Sequence, residues 1–209
     1  MREILPGIFH WTTLHEGIGE RVHSYYVQAT EPAVLIDPRV PHVGLNGFTG
    51  RPRPAHAYLT NRHHYRHSGR FAERFGTEVW CHLDGLHEFT HGERVRPFLH
   101  GDVLPGGVKA LPVGVLCPEE TAFLIPVGDG ALAMGDAIVR HGDKLGFVPD
   151  GLMGDEPDEV KRGLVAAFYH LVEQPFEHLL LAHGAPWVGG GKQALRAFLE
   201  RQNRPPCEA

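Results

Sequence analysis

One stretch of the chain, residues 57–71, places three histidines between a short apolar run and an amphipathic segment. The run Ala57–Leu59 predicts a buried strand, and the apolar spacing that stops at Gly76 predicts a helix near residues 68–75. The histidines are His63, His64 and His67. Strand ends hold side chains rigidly at the rim of a crevice, and imidazoles there indicate a metal site or acid–base chemistry. An exposed, solvated turn is the alternative, because 16 histidines in the chain raise the chance of clustering.

Length and charge limit the classes of protein to be considered. The 209 residues suffice for one domain, predicted over residues 1–209, that buries roughly 70% of its unfolded surface. The formal charge of -5 argues against a nucleic-acid partner, and no apolar run reaches the roughly 18 residues that a membrane helix needs. The first residues lack the apolar core of a signal peptide, so the expected location is the cytoplasm. The cysteines are scattered and include no Cys-x-x-Cys pair, so we expect no disulfide framework.

Two other predicted strands end at residues with metal-binding side chains. The run Ala131–Met134 leads to Asp136, and the run Leu179–Ala182 leads to His183. A carboxylate between histidines is a common ligand set for borderline divalent metals. Asp37 ends a third strand, but a buried carboxylate there is predicted to accept hydrogen bonds from its own turn.

Five motifs, in order along the chain, resemble those of the metallo-β-lactamase superfamily. They are the strand Val22–Val27 with His23 in place of asparagine, the Leu-Ile-Asp end of Ala33–Asp37, the lead-in Leu59-Thr60 to the histidine turn, the Gly-Asp end of Ala133–Asp136, and the late His-Gly turn Leu181–Gly184. The resemblance implies an α/β (α+β) fold, a four-layer αβ/βα sandwich of two mixed sheets with helices outside. Two more amphipathic helices, at 157–173 and 191–202, suit the outer layers. The implied activity is metal-dependent hydrolysis of a small ester, thioester or lactone.

The histidine turn departs from the family's Thr-His-x-His-x-Asp-His pattern in either register. Without a gap, Asn61 and His63 take the positions of the first two histidines. With one inserted residue, His64 and His67 match the second and last histidines, and Arg66 stands at the aspartate. The second register is preferred for His67, and the choice between His63 and His64 stays open. In both registers the metal-binding aspartate is lost.

A second departure concerns the family's middle histidine, which the resemblance places near Gly114. The chain has Val115, Leu116 and Cys117 there. Cys117 could offer a thiolate, but a buried structural cysteine is the commoner interpretation. With these losses we predict at most one divalent ion, zinc first, with manganese or iron as alternatives, or no ion at all.

Two functions follow, both with a small-molecule partner that could be anionic. In the first, Asp136, His183 and one or two of the turn histidines hold one ion that activates water, and Asp136 and Arg66 are the catalytic residues. In the second, the protein is an inactive binding module for a small anion, and Arg66 and Arg62 supply the positive charge. The alternative is that Arg66 has no functional role, points outward and pairs with Glu73. β-Lactamase activity is not expected, because such enzymes are usually exported, and nucleic-acid processing in this fold needs an inserted domain.

Overall fold

A seven-stranded sheet contains the first strands of the chain in sequence order. The computed structural model describes residues 1–202; the predicted domain also includes residues 203–209, with Cys207, which lie outside the described residues. The strands are β1 (Arg2–Leu5), β2 (Ile8–His15), β3 (Glu20–Val27), β4 (Val34–Ile36), β5 (His56–Tyr58), β6 (Glu78–His82) and β7 (Val95–Phe98). Strands β1 to β4 pair antiparallel, and strands β4 to β7 pair parallel.

The second sheet is built from the later part of the chain. The remaining strands are β8 (Val103–Leu104), β9 (Val108–Pro112), β10 (Thr121–Ile125), β11 (Ala131–Met134), β12 (Ile138–His141), β13 (Lys144–Phe147) and β14 (His178–Leu181). Five of them pair in the order β14-β11-β10-β9-β8, with β11 and β14 parallel, while β12 and β13 form a separate hairpin. Both sheets are therefore mixed, as predicted.

Three α-helices lie where the sequence predicts them: α1 (Ser68–Phe75), α2 (Pro157–Val172) and α3 (Gly191–Gln202). The first turn of α2 contains Asp158 and Glu159, whose charges suit the positive end of the helix dipole. Helix α1 ends at Gly76, whose φ of 65° lies in the left-handed region that glycine adopts without strain. Within residues 1–202, no helix combines the length and apolar composition that a membrane span requires.

Three apolar clusters separate the sheets and helices into four layers. Between the two sheets, Tyr58 of β5 packs against Phe123 of β10, with ring centroids 5.5 Å apart. On the outer side of the second sheet, Phe168 of α2 belongs to the same cluster as Leu132 of β11. On the outer side of the first sheet, Phe71 of α1 is fully buried. The predicted four-layer sandwich, with helices outside two facing sheets, is therefore confirmed.

The ends of strands from both sheets meet at one edge of the sandwich. Strand β4 is followed by Asp37, strand β11 by Asp136 and strand β14 by His183, and β5 leads into the histidine turn. The backbone N–H of His23 in β3 donates to the carbonyl of Ala182 (3.0 Å), which joins the two sheets there. The candidate site lies at this edge.

Candidate metal centre

Three side chains converge where the strand ends of the two sheets meet. Asp136 Oδ1 lies 3.1 Å from Nε2 of His64 and 3.1 Å from Nε2 of His183. One ligand atom from each of the three residues lies within 4.8 Å of the others. The structure thus shows the predicted convergence of Asp136 and His183 with one histidine of the turn, across long separations in sequence.

Asp37 and Thr60 hold His64 from behind. Thr60 donates its hydroxyl to Asp37 Oδ2 (2.7 Å) and its backbone N–H to Asp37 Oδ1 (2.9 Å). His64 Nδ1 lies 2.8 Å from Thr60 Oγ1 and 3.0 Å from Asp37 Oδ2. Because the hydroxyl hydrogen already points to the carboxylate, Nδ1 of His64 carries a proton and its Nε2 faces the cluster. The carboxylate of Asp37 therefore has the structural role predicted for it, and it orients a site histidine as well.

Charges in the cluster shift the pKa values of its members in opposite directions. Burial and Arg66 lower the pKa of His64, but Asp136 and Asp37 outweigh them and raise it to about 9. Burial acts to raise the pKa of Asp136, but His64 and His183 hold it well below its usual range. In the absence of a metal, an imidazolium at His64 therefore pairs with both carboxylates.

Asp136 is fixed by a neighbouring amide and by its own turn. Asn61 donates Nδ2–H to Asp136 Oδ2 (3.0 Å), and its Oδ1 accepts the backbone N–H of His63 (3.0 Å). The fully buried Glu120 accepts the backbone N–H of Ala137 (2.8 Å), and burial followed by the charge of Asp136 raises the pKa of Glu120 to about 8. Sequence reasoning missed both supporting residues. A signal existed only for Asn61, which falls on the first histidine position of the ungapped register.

The other two histidines of the turn face elsewhere. His63 is exposed, and the cluster found among residues 1–202 does not include it. His67 stands at the start of α1, where its Nδ1 accepts the backbone N–H of Val40 (3.0 Å). Of the three turn histidines, the structure therefore brings His64 alone into the cluster, and His63 and His67, which the sequence also offers as ligands, lie outside it. The 3₁₀ turn Arg62–Tyr65 explains this, since it turns His64 inward and His63 to solvent.

Arg66 points into the protein and does not pair with Glu73. Its φ of 48° turns the side chain inward, where Nη1 donates to the carbonyl of His23 (2.7 Å) and to the carbonyl of Asp37 (3.0 Å). Burial lowers the pKa of Arg66, although Asp37 and Asp136 oppose this shift. The guanidinium thus binds backbone beside the cluster, and its catalytic role stays a prediction.

Arg62 and Cys117 also lie apart from the cluster. Arg62 forms an ion pair with the fully buried Glu119, and its Nε lies 3.7 Å from Glu88 Oε2. Burial, followed by a hydrogen bond to Glu119, raises the pKa of the Cys117 thiol. Arg62 is therefore neutralised by its neighbours, and Cys117 is a protonated thiol near neutral pH.

The cluster has the donors that one divalent ion requires. Two imidazole nitrogens and one carboxylate oxygen form a set that borderline metals prefer. Asp136 Oδ1 is buried, and neither imidazole ring is oriented to donate a hydrogen bond to it. This atom therefore has no hydrogen-bond partner among the described residues. The side chains of Asp136 and His183 are 29% and 19% exposed, so part of the cluster faces solvent. The residues therefore fit a single ion with three protein ligands and an open position.

No protein-family model matches the sequence, and no curated protein matches it. Solved structures match in three dimensions. TTHA1429, a metallo-beta-lactamase family protein from Thermus thermophilus, has 16% identity and a TM-score of 0.64, covering 96% of this chain and 80% of that chain. TTHA1623 in a di-iron-bound form has 23% identity and a TM-score of 0.66, covering 93% and 98%. ST1585, an archaeal metallo-beta-lactamase superfamily protein from Sulfolobus tokodaii, has 13% identity and a TM-score of 0.66, covering 97% and 89%.

The described chain therefore has the fold of the metallo-β-lactamase superfamily, as its five sequence motifs imply. The match spans nearly the whole chain and most of each similar structure. At these identities the likeness establishes the fold, and any function has to come from the residues of the site.

Proposed function

We propose that this protein is a divergent metallo-β-lactamase superfamily member that hydrolyses a small ester, thioester or lactone with a single divalent metal ion. The observation that carries the proposal is the position of Asp136 Oδ1, which is buried between Nε2 of His64 and Nε2 of His183 without a hydrogen bond. Three such atoms, close enough to share an ion, are the minimum that a catalytic site with one open position needs.

His64, Asp136 and His183 would hold the divalent ion, which would supply a water of lowered pKa and polarise the carbonyl of the substrate. The chain's own residues prepare the ligands. Asp37 keeps the proton of His64 on Nδ1, which leaves Nε2 free as a donor atom. Asn61 occupies Oδ2 of Asp136 and so leaves Oδ1 directed at the two imidazoles.

Zinc is the first choice of ion, because two imidazoles and a carboxylate are among its ordinary catalytic ligand sets. Manganese and iron are the alternatives. One similar structure, TTHA1623, was solved in a di-iron-bound form. We propose at most one ion here, because the described site brings together three ligand residues rather than the larger set that a pair of ions needs.

A metal-free binding module is the second candidate function, and one observation favours it. His64 lies between Asp37 and Asp136, and those charges raise its pKa to about 9. A protonated His64 can therefore join the two carboxylates at neutral pH without any ion. In that case the protein keeps the fold but has no activated water.

The test is hydrolysis of a panel of small esters, thioesters and lactones by protein loaded with zinc, manganese or iron(II). We expect turnover that needs the ion and falls to background in Asp136→Ala. The matched control is Asp129→Asn, which changes an exposed carboxylate at the opposite end of β11 from Asp136 and should keep its activity. Ion-independent turnover, or equal turnover in Asp136→Ala, would contradict the proposal. Absence of turnover with every ion and substrate class would favour the binding module.

A further inference from the structure

A group of buried hydrogen-bond donors without a partner among the described residues belongs to β2, the segment after β4 and the residues at the start of α1. Five side-chain atoms of this group have no hydrogen-bond partner among residues 1–202. They are Thr13 Oγ1, Arg39 Nε, Arg66 Nε, Arg66 Nη2 and Ser68 Oγ. Native proteins rarely leave buried donors unpaired, so the partner of these donors calls for an explanation.

The backbone around Arg39 is tightly held. Its carbonyl accepts the indole N–H of Trp11 (2.8 Å), and its N–H donates to Ser24 Oγ (3.0 Å). The residue is 5% exposed. Thr13 is two residues after Trp11 on β2, so both side chains are on the same face of the strand. Arg39 is therefore a fixed, buried cation of which the Nε–H is unpaired.

Arg66 and the start of α1 complete the group. Arg66 uses Nη1 for the carbonyls of His23 and Asp37, while its other guanidinium nitrogens have no acceptor. His67 joins the start of α1 to the segment after β4, because its backbone N–H donates to the carbonyl of Pro38 (3.1 Å). The next residue, Ser68, is fully buried at the first position of α1. Arg66 thus joins β3 and the segment after β4 directly before the start of α1.

The two arginines act on neighbouring histidines. Burial, followed by the charges of Arg39 and Arg66, lowers the pKa of His15, which shows that the two guanidinium groups act on the same residue. Burial, followed by Arg39, also lowers the pKa of His67. One carboxylate, Glu16 Oε2, bonds Arg39 Nη2 at 2.8 Å, and its side chain is 78% exposed. The carboxylates of Asp37 and Asp136 also act on Arg66, but neither bonds its Nε or Nη2, so these donors and Arg39 Nε lack an acceptor that water or an anion could supply.

We propose that Arg39 and Arg66 form a binding site for a carboxylate group of the substrate, and that the carboxylate of Glu16 occupies this site until the substrate displaces it. Glu16 lies in the connection between β2 and β3, so its side chain can leave without disturbing either strand. Arg66 bonds the carbonyl of Asp37, whose carboxylate orients His64, so the anion site adjoins the metal centre. As a statement on substrates this rests on the proposed function. It selects esters, thioesters and lactones that carry a carboxylate.

Binding is tested first on metal-free protein, by calorimetry with glutarate and with uncharged glutaramide. We expect saturable binding of glutarate alone, strengthened at least about tenfold in Glu16→Gln, since a resident charged hydrogen bond no longer competes. Arg39→Met should abolish this binding, and Glu20→Gln, the same change at the other end of the connection, should leave it unchanged. If Arg39→Met does not fold, Glu16→Gln with wild type still decides. Equal glutarate affinity in Glu16→Gln and wild type, or no saturable binding in either, overturns the site and leaves water as the partner of these donors.

The substrate class is tested separately on metal-loaded protein with matched pairs of substrates. For a carboxylate-bearing ester, Glu16→Gln should lower KM by about tenfold, while KM for the corresponding methyl ester stays unchanged. Equal changes for both esters overturn the assignment of a carboxylate to the substrate. Because glutarate binding is measured without metal, a failure of hydrolysis leaves that result intact and counts only against the proposed function.

Discussion

The affinity for a divalent ion should rise steeply with pH, because the ion has to displace a proton from His64. In the metal-free protein, Asp136 and Asp37 outweigh burial and Arg66, and they raise the pKa of His64 to about 9. Asp37 holds the proton on Nδ1, so the proton that leaves is the one on Nε2. Metal ligation and protonation of Nε2 therefore exclude one another.

The magnitude follows from that pKa. Each pH unit below it weakens metal binding about tenfold, or about 1.36 kcal/mol. At pH 7 the affinity should be about a hundredfold lower than above pH 9, which is about 2.7 kcal/mol. The stability of the metal-free fold has the opposite dependence on pH. The raised pKa stabilises the metal-free protein fully below about pH 6.5, and this contribution is lost as pH rises through about 9.

The assay is competition for zinc against a chromophoric chelator between about pH 6.5 and 8.5, corrected for protonation of the chelator. We expect the logarithm of the affinity to rise with a slope near one, and the same slope in Glu20→Gln, whose carboxylate lies on the exposed side of His183. Calorimetry in buffers of different ionisation enthalpy should show about one proton released per ion at neutral pH. A flat profile after correction would refute the reasoning, because His64 would then be either uncharged or not a ligand.

Three further substitutions test the surroundings of the site. Asp37→Asn should weaken zinc binding about 10–100-fold, because it removes the carboxylate that orients His64. Zinc titration of the folded variant and the wild type measures this, and an unchanged affinity would refute the orienting role of Asp37. Gly135→Ala should destabilise the fold by about 1–3 kcal/mol in urea unfolding, since a Cβ there would lie 2.9 Å from Thr60 Oγ1. A variant as stable as the wild type would show that the turn shifts to accept the methyl group. Phe168 packs between α2 and the second sheet, so Phe168→Ala should lower the free energy of unfolding by about 3–5 kcal/mol. The metal stoichiometry should stay the same, and a changed stoichiometry would contradict the separation of core and site.

The sequence predicts buried strands and the helices but not the exposed edge strands. The bounds of Ala131–Met134 agree with the structure, because this central strand is a continuous apolar run. Strands β1 and β7 are the outermost strands of the first sheet, and β8 and β14 are the outermost strands of the second. Strand β14 is fully buried and its apolar run predicts it, whereas β1, β7 and β8 are partly exposed. An edge strand has one hydrogen-bonded neighbour and more exposed side chains, so its apolar pattern is weak. Strand β7 also contains Pro97, which further obscures it.

For the site, the sequence indicates the residues that directly follow strands and fails for those within turns. Asp136 and His183 come after buried strands, so their meeting could be expected from strand ends alone. The choice between His63 and His64 depends on a 3₁₀ turn that puts one imidazole inward and the other outward, and no periodic pattern reports this. Glu120 gives no signal at all, because its role depends on a backbone N–H of the Asp136 turn, which is distant in sequence.

The proposal of one divalent ion held by His64, Asp136 and His183 is tested most directly by metal stoichiometry. Elemental analysis of the purified protein should find at most one ion per chain, and Asp136→Ala should hold none. Zinc, manganese or iron at a hundred times its dissociation constant should stabilise the wild type by about 2.7 kcal/mol, seen as a rise in melting temperature that Asp136→Ala lacks. Two tightly held ions would contradict the single site. No bound ion together with no thermal shift would contradict the hydrolase and leave the binding module.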